Sequence, residues 1–169
     1  MNTIAEDLYL SPGDFRFETR PVRLRTVLGS CVGVTLWHPG RKIGAMCHFM
    51  LPSRPRKSTA LNGKYGDEAI ELFLRQALAH HTAAEDYQLK LFGGGEMFPG
   101  IRQDTHSNDV AQMNVSAALE MADHYHLDLI AQDMGSTGHR NVIFDTSNGH
   151  VWVSHKPIRT RTGNAQEKN

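Results

Sequence analysis

The chain has 169 residues, enough for one domain with a substantial core, and its 18 Lys and Arg balance 18 Asp and Glu at a formal net charge of zero. With no global field to favour polyanions, neither nucleic acid nor an anionic membrane is expected as a partner. No apolar run approaches the roughly 18 residues a membrane span needs, and the N-terminus carries acids where a signal peptide needs bases, so a cytoplasmic protein without membrane insertion is expected.

Taken in order, residues 1–7 read as a loose end, and Leu8 to Leu10 lead into a Ser11-Pro12-Gly13-Asp14 turn. Phe15 and Phe17 alternate with charged residues, the pattern of a half-exposed strand. After Pro21, residues 22–28 read as a strand running into a Gly29-Ser30 turn that presents Cys31. Small residues suit a tight turn, while Ser30 is also a rival nucleophile. Backbone N–H groups around Ser30 and Cys31 are candidate oxyanion donors.

Two apolar runs, residues 31–37 and 43–51, flank His38-Pro39-Gly40-Arg41 and read as a β-hairpin closed at Pro39-Gly40. That two-residue turn sets Val32 against Cys47, Val34 against Ala45 and Leu36 against Ile43 on one apolar face. The other face then carries Cys31 opposite His48, with Gly33 and Gly44 leaving space beside the pair. An L-Pro-Gly turn fits strand twist poorly, so a bulge is the alternative that would shift the pairing. An imidazole beside a thiol can take its proton, lower its pKa and hold a thiolate ready as a nucleophile. Cys31 and Cys47 are the only cysteines, and their opposite faces disfavour a disulfide.

Residues 52–66 are polar and read as a mobile loop near Cys31 and His48. Arg54, Arg56 and Lys57 there form either a solvated charge run or a steering patch for an acidic partner. Asp67 is the expected cap of a helix burying Ile70, Phe73, Leu74, Ala77 and Leu78. Leu89 to Phe92 read as a strand ending in Gly93-Gly94-Gly95, which lacks the lysine and hydroxyl of a phosphate loop. Residues 99–108 are polar and irregular. Asp109 is the expected cap of a second helix that buries Val115, Ala118, Leu119 and Ala122. A strand over 127–131 follows, then a hairpin pairing 141–144 with 151–154 around Ser147-Asn148-Gly149. Residues 157–169 are charged and expected to be a disordered tail, leaving 1–156 as the folded domain. None of the ten histidines has zinc-site spacing, so no metal is expected.

The block Thr26-Val27-Leu28-Gly29-Ser30-Cys31-Val32 and the block running from Gly44 through His48 to Pro52 resemble the chemoreceptor glutamine deamidases of the CheD family. The likeness continues through Lys64-Tyr65-Gly66-Asp67, Gly93 to Phe98, Asn114, Asp133-Met134-Gly135 and Arg140. The resemblance implies that Cys31 is the nucleophile, His48 its base and Thr26 the third member of the set. Gly29, Ser30, Gly33, Gly94, Met97 and Phe98 are then the expected substrate-binding positions. The implied fold is one α/β domain of mixed, mainly antiparallel, sandwich-like sheets with two principal helices outside. The implied activity is conversion of chemoreceptor glutamine to glutamate through a Cys thioester, without a cofactor. Chemoreceptor cytoplasmic helices are the implied partners, and a CheC-like phosphatase is a further one. Cys and His alone leave open another thiol hydrolase, such as a receptor methylesterase, and a non-catalytic adaptor.

Overall fold

The computed structural model describes residues 5–101 and 106–160, without the side chains of 106–109. Strands β1 (Glu6–Tyr9), β2 (Phe15–Glu18), β3 (Val22–Leu28), β4 (Val32–His38) and β5 (Ile43–Phe49) precede helix α1 (Gly66–Ala79). Strand β6 (Gln88–Gly93) and helix α2 (His106–His124) follow, then β7 (Asp128–Met134), β8 (His139–Asp145) and β9 (Val151–Lys156). One sheet has the order β1-β3-β8-β9 and the other β2-β5-β4-β6-β7. The pairs β1 with β3 and β6 with β7 are parallel and the remaining pairs antiparallel, giving the mixed α/β architecture expected.

The layers are sheet, sheet and helices, with an apolar core on each side of the five-stranded sheet. Val34, Leu36, Ala45, Cys47 and Phe49 point from it toward Ile70 and Phe73 of α1 and Ala118 and Ala122 of α2. On its opposite face Met46 and Phe92 meet Leu24, Leu28, Val142 and Phe144 of the four-stranded sheet. Burial on both faces explains why all seven residues of β5 are buried and why its sequence lacks the polar alternation of a half-exposed strand.

The hairpin has the expected faces but not the expected register. Val32 pairs with Phe49, Gly33 with His48, Val34 with Cys47 and Leu36 with Ala45, a slip of two residues. A four-residue loop over 39–42 causes the slip, with Lys42 at φ 53° and its amide donating to the His38 carbonyl at 2.8 Å. A slip of two leaves every side chain on its own face. Cys31 therefore lies diagonal to His48, not opposite it.

The two glycines on that inner face leave no open space. A Cβ at Gly33 would come within 2.8 Å of Leu28, and one at Gly44 within 2.9 Å of the Phe144 ring. They are small because the second sheet packs directly on them.

Other expectations change at the edges. Glu6 and Asp7 belong to β1 and pair with Val22 and Arg23, so this part of the N-terminal segment is not loose, while residues 1–4 lie outside the described ones. Helix α1 is capped at Tyr65, and the Asp67 carboxylate accepts the next amide, that of Glu68, at 2.9 Å instead. Leu78 is 76% exposed and Leu119 is exposed too, because each lies just beyond the apolar stripe of its helix. Helix α2 already starts at His106, which puts Asp109 inside it. Arg54 is committed to the Glu68 carboxylate and lies over the Tyr65 ring at 4.8 Å, so this residue ties the 52–66 loop to α1. Ile158 and Thr137 hydrogen-bond at 3.0 Å, whereas the expected tail beyond residue 160 lies outside the described residues. No described helix is long and apolar enough to cross a membrane.

Candidate active site

Thr26 and His48 belong to different sheets. Inward-facing positions alternate along β3 as Val22, Leu24, Thr26 and Leu28, which puts a hydroxyl in an otherwise apolar row. His48 projects from β5 toward it, and each residue is only 2% exposed. Thr26 Oγ1 donates to the Leu10 carbonyl at 2.9 Å and lies 2.7 Å from His48 Nδ1. A carbonyl can only accept, so the single hydroxyl proton is committed to Leu10 and the Thr26 oxygen accepts from the ring. Nδ1 therefore carries the imidazole proton and Nε2 presents its lone pair.

The Ser11-Pro12-Gly13-Asp14 turn holds the backbone of the same histidine. The Asp14 carbonyl accepts from the His48 amide at 3.0 Å, and the Gly13 amide donates to the His48 carbonyl at 2.8 Å. The sequence marks this segment as a turn, but gives no sign that it grips His48.

Burial pushes the His48 pKa from 6.5 down to about 4, against the opposing pull of the Asp14 charge. Burial also raises the Cys31 thiol, with the Ser30 hydroxyl working the other way. Both shifts favour the neutral forms, a protonated thiol and an uncharged imidazole. The preformed thiolate expected from the sequence is thus disfavoured by desolvation, and His48 is favoured as a neutral imidazole, not as the cation of an ion pair.

Cys31 stands one residue before the last β4–β5 pair, half-buried against the inter-sheet core. The glycine run encloses its turn from the other side: the Gly94 amide donates to the Cys31 carbonyl at 2.8 Å and the Gly95 amide to the Gly29 carbonyl at 2.9 Å. Gly93 and Gly94 have φ of 100° and 62°, and a Cβ at Gly93 would sit 2.3 Å from the Cys31 carbonyl oxygen. These glycines permit backbone-to-backbone contact. Buried Arg140 fixes the same run, with Nη1 donating to the Gly93 carbonyl at 3.4 Å and Nη2 to Asp133 at 3.1 Å.

The expected substrate-binding positions divide. Gly29 and Ser30 form the turn beside Cys31, and the Met97 sulfur lies where it would meet a Gly29 Cβ at 3.0 Å. Phe98 follows Met97 and is 53% exposed. Gly33 lies buried under Leu28, and a Cβ at Gly94 would collide with Val115 at 2.2 Å, so both face packed interior. Among the described residues, the amides of Ser30 and Cys31 donate to no acceptor, which leaves them available to an incoming oxyanion.

A thiol served by a neutral imidazole whose Nδ1 is held by a hydroxyl can perform nucleophilic acyl chemistry, as cysteine-dependent hydrolases and transferases do. The family model described as CheD chemotactic sensory transduction matches residues 50–155. A protein of Pseudomonas savastanoi pv. phaseolicola named probable chemoreceptor glutamine deamidase CheD is 57% identical, over all of this chain and 97% of its own length. Relatives named probable chemoreceptor glutamine deamidase CheD 1 occur in Chromobacterium violaceum, 42% identical over 88% of this chain and 77% of theirs, and in Leptospira interrogans, 34% identical over 87% and 91%. The chain belongs to the CheD family. The family-model match begins after Cys31 and His48, whereas the alignment to the Pseudomonas savastanoi relative spans both.

Proposed function

We propose that this chain deamidates glutamine side chains of chemoreceptors, with Cys31 as nucleophile, His48 as acid and base, and Thr26 holding the His48 ring. As a glutamine carboxamide arrives, His48 Nε2 takes the thiol proton and the Cys31 sulfur attacks the side-chain carbonyl carbon. The carbonyl electron pair moves onto oxygen, where the amides of Ser30 and Cys31 donate to it. Collapse of this intermediate breaks the C–N bond. His48 returns the proton to the departing nitrogen, so ammonia leaves and a thioester remains. Water attacks the thioester with His48 again as base, giving glutamate and the free thiol. Water is the only co-reactant.

The bond between Thr26 and His48 Nδ1 carries this reading, because it leaves Nε2 unprotonated where a base is needed. The names of the relatives supply the substrate class. Incubating the purified protein with a chemoreceptor cytoplasmic fragment and mapping glutamine-to-glutamate changes by peptide mass tests it. Receptor methyl ester hydrolysis without deamidation would favour the methylesterase alternative. Receptor binding that survives Cys31→Ala without any glutamate product would favour an adaptor. A CheC-like phosphatase is a further proposed partner, to be sought by co-purification with that protein, and the cytoplasm is the proposed location.

A further inference from the structure

The β4–β5 ladder ends at Val32 and Phe49. Cys31 lies immediately beyond that last pair, so no ladder bond to β5 fixes the residue whose position relative to His48 matters most. Helix α2 supplies a replacement. Asn114 is fully buried, and its Nδ2 donates to the Ser30 carbonyl at 3.0 Å and to the Met50 carbonyl at 2.9 Å. One acceptor directly precedes Cys31, and the other lies two residues after His48. A single nitrogen bonded to both holds the two backbones at a fixed spacing where sheet pairing has ceased.

The chemistry of the site explains why an amide stands there. Both acceptors are carbonyls, so the amide can point only one way, and its Oδ1 is left buried with no partner. Among uncharged side chains only the amides of Asn and Gln offer two N–H donors on one atom, and each brings an oxygen with it. An apolar residue would spare the orphaned oxygen but leave two carbonyls unpaired instead of one acceptor.

We propose that Asn114 is a positioning residue for the reaction: its carboxamide acts as the final rung between the Cys31 turn and the His48 strand and sets the distance from thiol to imidazole. This rests on the reading of Cys31 and His48 as the reacting pair. The hydrogen bonds of Asn114 go to backbone carbonyls and not to the Cys31 or His48 side chain, so it should govern the rate of chemistry and not substrate affinity.

The test compares wild type with Asn114→Ser and Asn114→Leu in steady-state ammonia release from a receptor cytoplasmic fragment, with Cys31 alkylation followed in parallel. Both variants should keep KM within about twofold and lose kcat by on the order of 100-fold, the scale of an ångström-sized misplacement. Alkylation of Cys31 by iodoacetamide should lose its dependence on His48 in the variants, so that adding His48→Gln slows it no further. Circular dichroism and gel filtration establish the folded fraction to which rates are normalised. If wild type is active and a folded variant matches its kcat, or if KM rises while kcat stays, Asn114 does not position the pair. If neither variant folds, Asn114 holds the fold and not the site, which also overturns the inference. Absence of glutamate product with wild type would instead overturn the reading of the site on which it rests.

Discussion

Thr26 and His48 are hydrogen-bonded across the gap between the two sheets, 2.7 Å from Oγ1 to Nδ1, while the Thr26 proton goes to Leu10. That arrangement sets the tautomer of the imidazole, so removing the hydroxyl should matter more than removing its volume. Thr26→Val keeps the shape and loses both bonds. Its kcat for ammonia release should fall by roughly 100-fold or more, whereas Thr26→Ser should stay within about tenfold of wild type. Equal losses in the two would mean that the methyl group, not the hydroxyl, does the work.

The two thiols should separate cleanly. Cys31→Ala should abolish turnover and leave the melting temperature nearly unchanged, because Cys31 is half-buried at the end of a strand. Cys47→Ala removes a sulfur that is 5% exposed in the helix-side core, and should cost about 1 kcal/mol of stability with turnover retained. Turnover and thermal melts on both variants decide between these assignments.

Stability should depend on pH through His48. Its folded pKa of about 4 lies below the ordinary 6.5, so the unfolded chain binds the extra proton between those values. The His48 contribution is fully present above pH 6.5 and is lost as pH falls toward 4, amounting to about 3 kcal/mol across the window. In urea titrations at several pH values, His48→Gln should flatten the dependence in this window. An undiminished slope in the variant would place the titrating group elsewhere.

Thiol reactivity should follow the raised Cys31 pKa. The iodoacetamide rate in the absence of substrate should climb through the alkaline limb above pH 9. A plateau already reached near neutrality would reveal a standing thiolate and imidazolium pair.

Backbone contact at the glycine run makes Gly93 intolerant. In Gly93→Ala a methyl would meet the Cys31 carbonyl oxygen at 2.3 Å in a residue already at φ 100°. The expected loss is about 2 kcal/mol or more, with turnover falling as the Cys31 turn is displaced. Wild-type stability in this variant, read from a denaturant midpoint, would show that the run can shift freely.

The parts that sequence makes legible are those set by alternation and punctuation. Strand β3 spans the residues expected, and Asn141 pairs with Ser154 as the turn at Ser147-Asn148-Gly149 requires. Alternation tests which face a side chain occupies but is blind to a slip of two, so the loop ending at Lys42 was decisive and unreadable. Glycine is ambiguous in the same way. Gly33 and Gly44 could equally mark an empty groove or a second sheet pressing close, and only the packing of Leu28 and Phe144 distinguishes these. The pairing of Thr26 with His48 joins residues on different sheets, which no local pattern encodes. It came from likeness of motif.

The division of the site between two sheets has a consequence for how the protein would fail. No ladder hydrogen bond links β3 to β5, so Thr26 meets His48 through the packing of Leu24, Leu28, Met46 and Phe144 and through the 10–14 segment, which bonds Thr26 at Leu10 and His48 at Gly13 and Asp14. The proposed reaction centre would then act as a gauge of sandwich closure, reading the separation of two slabs through one short bond. Warming that let the slabs drift by a fraction of an ångström would silence the chemistry while each sheet kept its own hydrogen bonds. Inactivation would then run ahead of any spectroscopic loss of strand structure.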